Sequence, residues 1–251
     1  MMNDVQMDYT QFVKEKEREW QEQMNSKPAQ WTVSDGLSSK IKEDGTMNDF
    51  YGYTTVIPLR EADQMRCQQA QQLLLDRLPH RLVQLLPETF HLTIHALSNE
   101  RNTAGGVGKV QEQMSQHESQ VKQVFREVAE RYAGRHINMR ALGVSTNTRD
   151  VVSIKYVPED SDDYALLMEL HERIRELSPE RGTYMPHVSL CYFRLDGLQP
   201  SDIDVLYQTM DEINRSIKLD IVLDVNRFVY QMHRHMNDFP ALCTVQEFVA
   251  P

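Results

Sequence analysis

Cysteine is scarce: Cys67, Cys191 and Cys243 are the three in 251 residues, and no two stand in C-x-x-C spacing. An odd number so spaced speaks against a disulfide framework or a thiolate zinc site and fits reduced cytoplasmic thiols. No apolar run reaches the roughly 20 residues that a membrane-spanning helix needs. The first residues, Met1-Met2-Asn3-Asp4-Val5, lack the basic and apolar regions of a signal peptide, so a soluble cytoplasmic protein is expected. Cations are also outnumbered, 27 Lys and Arg against 37 Asp and Glu, for a formal net charge of −10. Such a surface repels long nucleic acid and leaves a small ligand, or one met by a locally basic groove, as the partner to expect. A phosphate-binding loop is missing too. Ala104-Gly105-Gly106-Val107-Gly108-Lys109 imitates one, but Thr103 stands where its first glycine belongs and Val110 where a hydroxyl belongs, so a flexible loop is expected there.

What is present is a doubled motif. His91-Leu92-Thr93-Ile94 and His187-Val188-Ser189-Leu190 each set a histidine two residues before a hydroxyl within an apolar run. On a β-strand that spacing sends imidazole and hydroxyl to one face and the aliphatic residues to the other. A third match, His117-Glu118-Ser119, sits in a polar stretch without apolar alternation and reads as an exposed helix face.

The order of elements repeats around the two motifs. Residues 8 to 25 form an amphipathic helix, followed by a polar loop ending at Asp44-Gly45, so residues 1 to 44 read as an appendage. Strands are expected over 51–59, 91–97 and 137–144, with helices over 62–78 and 110–132. The second half repeats this, with strands over 151–157, 186–193, 219–230 and 242–249 and helices over 163–177 and 200–213. The pattern gives an α+β domain over 45–251, with two related lobes of about 45–147 and 148–251 and the motifs facing one another across a pseudo-twofold cleft.

Paired H-h-[S/T]-h motifs at equivalent places in two α+β lobes resemble the 2H phosphoesterase superfamily. The likeness covers about residues 45 to 249. The stretch from Asp44-Gly45 through Tyr51-Gly52-Tyr53-Thr54-Thr55-Val56 is similar to a branch found in bacteria and fungi. The resemblance implies antiparallel sheets flanked by helices, an active cleft between the lobes, and no metal or other cofactor. It implies a monomeric cytoplasmic phosphodiesterase acting on a small nucleotide or RNA end: a 2′,3′-cyclic phosphate, a 2′,5′-oligoadenylate or a cyclic oligonucleotide. His91 and His187 would be the general acid and base, and Thr93 and Ser189 would hold the phosphate oxygens. The physical chemistry agrees. An imidazole with pKa near 6.5 can give or take a proton at neutral pH, and hydroxyl donors can stabilise charge on the non-bridging oxygens.

Some relatives carry a basic residue two places before the second histidine, where this chain has Met185. Arg181, Arg149 and Lys155 are the nearby cations that could replace it. Tyr53 and Tyr184 could stack on a base, whereas the parity of Tyr192 turns it away from the cleft. His95 shares the parity of His91 and Thr93 and would line the cleft. Two other readings follow from the same residues: a zinc hydrolase on His91, His95 and His187, and a nucleotide- or RNA-end-binding module without turnover. His233 and His235 are expected at a solvent-exposed hairpin end.

Overall fold

A computed structural model describes residues 7–146, 149–178 and 184–250. The first half of the repeat runs β1 (Gly52–Pro58), α2 (Glu61–Arg77), β2 (Leu82–Gln84), β3 (His91–Asn99), α3 (Gly106–Tyr132) and β4 (His136–Ser145), after a helix α1 (Tyr9–Asn25). The second runs β5 (Val151–Pro158), α4 (Ser161–Arg175), β6 (His187–Phe193), α5 (Pro200–Ser216), β7 (Ile221–Asp224), β8 (Val229–His233) and β9 (Ala241–Thr244). Local chemistry sets several boundaries. Asp8 and Gln11 form a capping box at α1, the Asp160 carboxylate caps α4, and Pro200 opens α5 behind the Gln199 and Asp202 box.

All strand pairs are antiparallel, in a sheet of order β3-β1-β8-β9 and a sheet of order β2-β6-β5-β4-β7. The expected α+β class with two helix-flanked antiparallel sheets is the observed one. The sequence halves, however, are not the two layers. β4, from the first half, pairs with β5, while β8, from the second, pairs with β1. A cut at 147/148 therefore divides both sheets. The strand expected over 219–230 is really two strands in different sheets: the Asp224 carboxylate accepts from Asn226 N and turns the chain out of β7.

Leu92 and Ile94 behind β3, and Val188 and Leu190 behind β6, are wholly buried, which fixes the opposite faces of these strands toward the space between the sheets. α3 lies on the first sheet and is longer than its periodicity suggests. It begins at Gly106, after Gly105 and Gly106 at φ of 104° and 64°, so the expected loop over Ala104 to Lys109 is partly the first helical turn. α1 packs across β4 and β5 on the side that carries Lys155, joining Phe12 to Val157 and Tyr164. Among the described residues no helix is long and apolar enough to cross a membrane.

Candidate active site

His91, Thr93, His187 and Ser189 line one cleft of about 210 Å³, open to solvent, where β3 lies against β6. The histidines are held alike. His91 Nδ1 donates to Thr89 O at 2.7 Å and His187 Nδ1 donates to Met185 O at 2.8 Å, each to the carbonyl two residues before its own ring. A carbonyl only accepts, so the neutral rings carry the proton on Nδ1 and leave the Nε2 lone pairs free. Neither the Thr93 nor the Ser189 hydroxyl is engaged by a hydrogen bond among the described residues.

Beyond the hydroxyls the strict alternation of both strands fails, and at the same place. In β3 the register passes from Thr93 to His95 and omits Ile94; in β6 it passes from Ser189 to Cys191 and omits Leu190. Each is a β-bulge three residues after the motif histidine, and each reverses the faces that follow. His95 is thereby turned out of the cleft. It is 2% exposed, its Nε2 donates to Ser178 O at 2.7 Å, and its ring meets His171 of α4 edge-on at 5.1 Å. The set His91, His95, His187 does not converge, so no site is formed by those three. By the same reversal Tyr192, expected to face away, lines the cleft. The carbonyls at the omitted residues are taken by buried side chains from helices: His171 Nδ1 of α4 donates to Ile94 O at 2.7 Å, and Gln71 Nε2 of α2 donates to Leu190 O at 2.6 Å.

The other sequence candidates fall in different places. Tyr184 gives its hydroxyl to Thr93 O at 2.9 Å and stacks on His171 at 4.3 Å, so it buttresses the motif strand, and burial raises its pKa. Tyr53 borders the cleft, but its hydroxyl is bonded to His117 Nδ1 at 3.0 Å and its ring packs T-shaped on Tyr230. His117 is accordingly half-buried against the first sheet and not on an exposed face. Lys155 stands opposite His187 in the β5–β6 register and is 2% exposed; burial pushes its ammonium down to about 8, with Glu19 of α1 opposing. Arg149 lies elsewhere, in a recess lined with Glu19, Glu22 and Tyr207. Arg181 is outside the described residues.

Two groups that the sequence did not point to complete the cleft. His233 is 7% exposed and lines it, contrary to the expected exposed hairpin end; its Nδ1 donates to Phe50 O at 2.7 Å. His235 has left the strand, and its Nδ1 accepts from Asn237 N. Lys40, in the presumed appendage, enters the cleft between the wholly buried anchors Leu37 and Ile41. That apolar pair, four residues apart in a polar loop, was the available signal.

The cleft disfavours positive charge. Burial, opposed by the Thr89 bond and reinforced by His233, pushes His91 down to about 4. Burial, then Lys155, then His91 and Lys40 push His187 down to about 3 against the Met185 bond. Burial and Lys40 take His233 to about 4 against its bond to Phe50.

No family model matches the sequence, and no curated protein does. Among solved structures, Escherichia coli LigT in complex with NADP+ is 11% identical, with 78% of this chain and 96% of that one covered at a TM-score of 0.42. Kluyveromyces marxianus Usb1 is 10% identical, with 77% and 97% covered at 0.41. The conserved protein of unknown function ATU0111 from Agrobacterium tumefaciens is 15% identical, and 85% of this chain and 100% of that one superpose at a TM-score of 0.59. The two-sheet α+β fold is therefore shared with ATU0111 over that chain's whole length.

Proposed function

We propose that the protein is a phosphodiesterase that uses His91 and His187 as an acid–base pair on a nucleotide or RNA-end phosphodiester. The eligible substrates are a 2′,3′-cyclic phosphate, a 2′,5′-oligoadenylate or a cyclic oligonucleotide. The observation that carries this reading is the matched pair of Nδ1–carbonyl bonds, which aims the basic nitrogen of each ring at one cleft. The charges around the two rings support a division of labour. Lys155 and Lys40 both act against a proton on His187, whereas His91 feels His233 alone. The single proton the pair shares rests on His91, so His91 is the acid and His187 the base.

In the forward step His187 Nε2 takes a proton from water as its oxygen attacks phosphorus. His91 Nε2–H gives a proton to the departing oxygen, and the products are a phosphomonoester and an alcohol. Thr93 and Ser189 donate to the non-bridging oxygens as charge accumulates there. With both rings neutral in the empty cleft, the bound anion itself raises the imidazolium pKa and brings the acid into being.

The test is turnover in EDTA of 2′,3′-cyclic mononucleotides, 2′,5′- and 3′,5′-oligoadenylates and cyclic di- and trinucleotides. At least one should be cleaved by the wild type and none by His91→Ala or His187→Ala at a comparable rate. If both variants turn over as the wild type does, the acid–base assignment fails. Nucleotide binding without turnover by the wild type would favour the binding module.

A further inference from the structure

The cleft holds more basic groups than one phosphodiester engages. His233 has the same Nδ1 anchorage as the motif pair, in its case to Phe50 O at 2.7 Å, with its ring stacked on Phe50 at 5.4 Å. It lies over Gly52, where a Cβ would come within 2.4 Å of Nε2, so a side chain at that position would displace the ring. Nothing among the described residues bonds to Nε2 of this side chain, which is 7% exposed and borders the cleft. Beside it, Lys40 Nζ stands 5.6 Å from the centroid of Phe50 and 5.2 Å from that of Tyr192. Among the described residues it pairs with no carboxylate, in a chain where Asp and Glu outnumber Lys and Arg by 37 to 27. A cation kept over two π faces, next to an unpartnered imidazole nitrogen, is a site prepared for an anion from outside the protein.

The chemistry of the two groups narrows the anion. Neutral His233, with its proton on Nδ1, can only accept at Nε2. A phosphomonoester, whose second ionisation lies near pH 6, holds an exchangeable proton close to neutrality and can share it with that nitrogen, as P–OH···N or as P–O⁻···H–N⁺. Lys40 supplies N–H donors to the remaining oxygens. A simple diester has no such proton to share. We propose that Lys40 and His233 form a second subsite that receives a terminal phosphomonoester on the same nucleotide whose diester lies between His91 and His187. This rests on the phosphodiesterase reading and narrows its substrate class to phosphate-ended nucleotides.

The experiment pairs two substrates, a nucleoside 2′,3′-cyclic phosphate and the same compound bearing a 5′-phosphate, with wild type, Lys40→Gln and His233→Gln. Binding of nucleoside 2′-monophosphate and 2′,5′-bisphosphate is measured in parallel by calorimetry. Wild type should favour the 5′-phosphorylated member of each pair by about tenfold or more, the scale of one charge-assisted hydrogen bond. Each variant should bring that ratio toward one, losing more on the phosphorylated member than on the other. A wild-type ratio near one, or equal losses on both members, overturns the subsite. If nothing is turned over, the calorimetric ratio still decides the subsite while the phosphodiesterase reading fails separately.

Discussion

The two motif strands differ less in backbone than in surroundings. β3 and β6 each begin with a histidine tied to a carbonyl two residues back, bulge three residues on, and pass the freed carbonyl to a helix, to His171 in one case and Gln71 in the other. Across the ladder, though, His91 faces Pro58 of β1, and His187 faces Lys155 of β5. The doubled device presents two equivalent nitrogens to one cleft, and the unequal neighbours are the basis of the proposed division into proton donor and acceptor.

The largest effect should come from breaking either half of that pair. His91→Ala and His187→Ala should each lower kcat by about 10²–10⁴, and steady-state kinetics of the double variant should find it little worse than a single one. Thr93→Ala and Ser189→Ala come next, with losses of about 10–10³, because one hydroxyl remains to hold the phosphate.

Removing the helix side chains that serve the bulges tests whether the two sides are equivalent. Gln71→Leu and His171→Leu should each lower stability in urea titrations by about 1–3 kcal/mol, the cost of a buried carbonyl left without a donor. Gln71→Leu should lie at the larger end: Leu190 O keeps a bond from Leu85 N at 3.3 Å, but Gln71 Nε2 also donates to Leu85 O at 2.7 Å, and that carbonyl loses its side-chain donor as well.

The smallest effect sharpens the asymmetry. Lys155→Met removes the cation beside His187, so that pKa should rise and the acidic limb of the kcat/KM profile should move to higher pH. Turnover at the optimum should stay within about tenfold, the scale of one pKa unit. Stability carries the same signature. The folded rings of His91, His187 and His233 titrate at about 4, 3 and 4. The unfolded chain binds protons at these positions below about pH 6.5 while the folded protein does not, so stability should fall as pH drops from about 6.5 toward 4. His187→Gln should flatten that slope in chemical denaturation.

Alternation alone placed His91 with Thr93 and His187 with Ser189 on the cleft face, because two residues are too few to reach the bulge. It misplaced His95 and Tyr192, which lie beyond it, since a bulge in an apolar run leaves no mark in residue type. His233 was misread because the apolar run from Leu219 hides the change of sheet at Asp224. The exchange of β4 and β8 between the sheets is a matter of long-range pairing, to which hydrophobic period is blind. Lys40 carried no periodic signal; what makes it part of the site is the anchoring of Leu37 and Ile41 and the two rings beneath its ammonium.

The most direct measurement is a titration of the imidazole nitrogens of His91 and His187 by ¹⁵N NMR, in the free protein and with a nucleoside 2′-monophosphate bound. Two neutral Nδ1–H rings are expected in the free protein at pH 7, and on binding the uptake of a proton that resides on His91 Nε2. Rings in the Nε2–H form, or two rings titrating independently near pH 6.5 with or without ligand, would contradict this expectation.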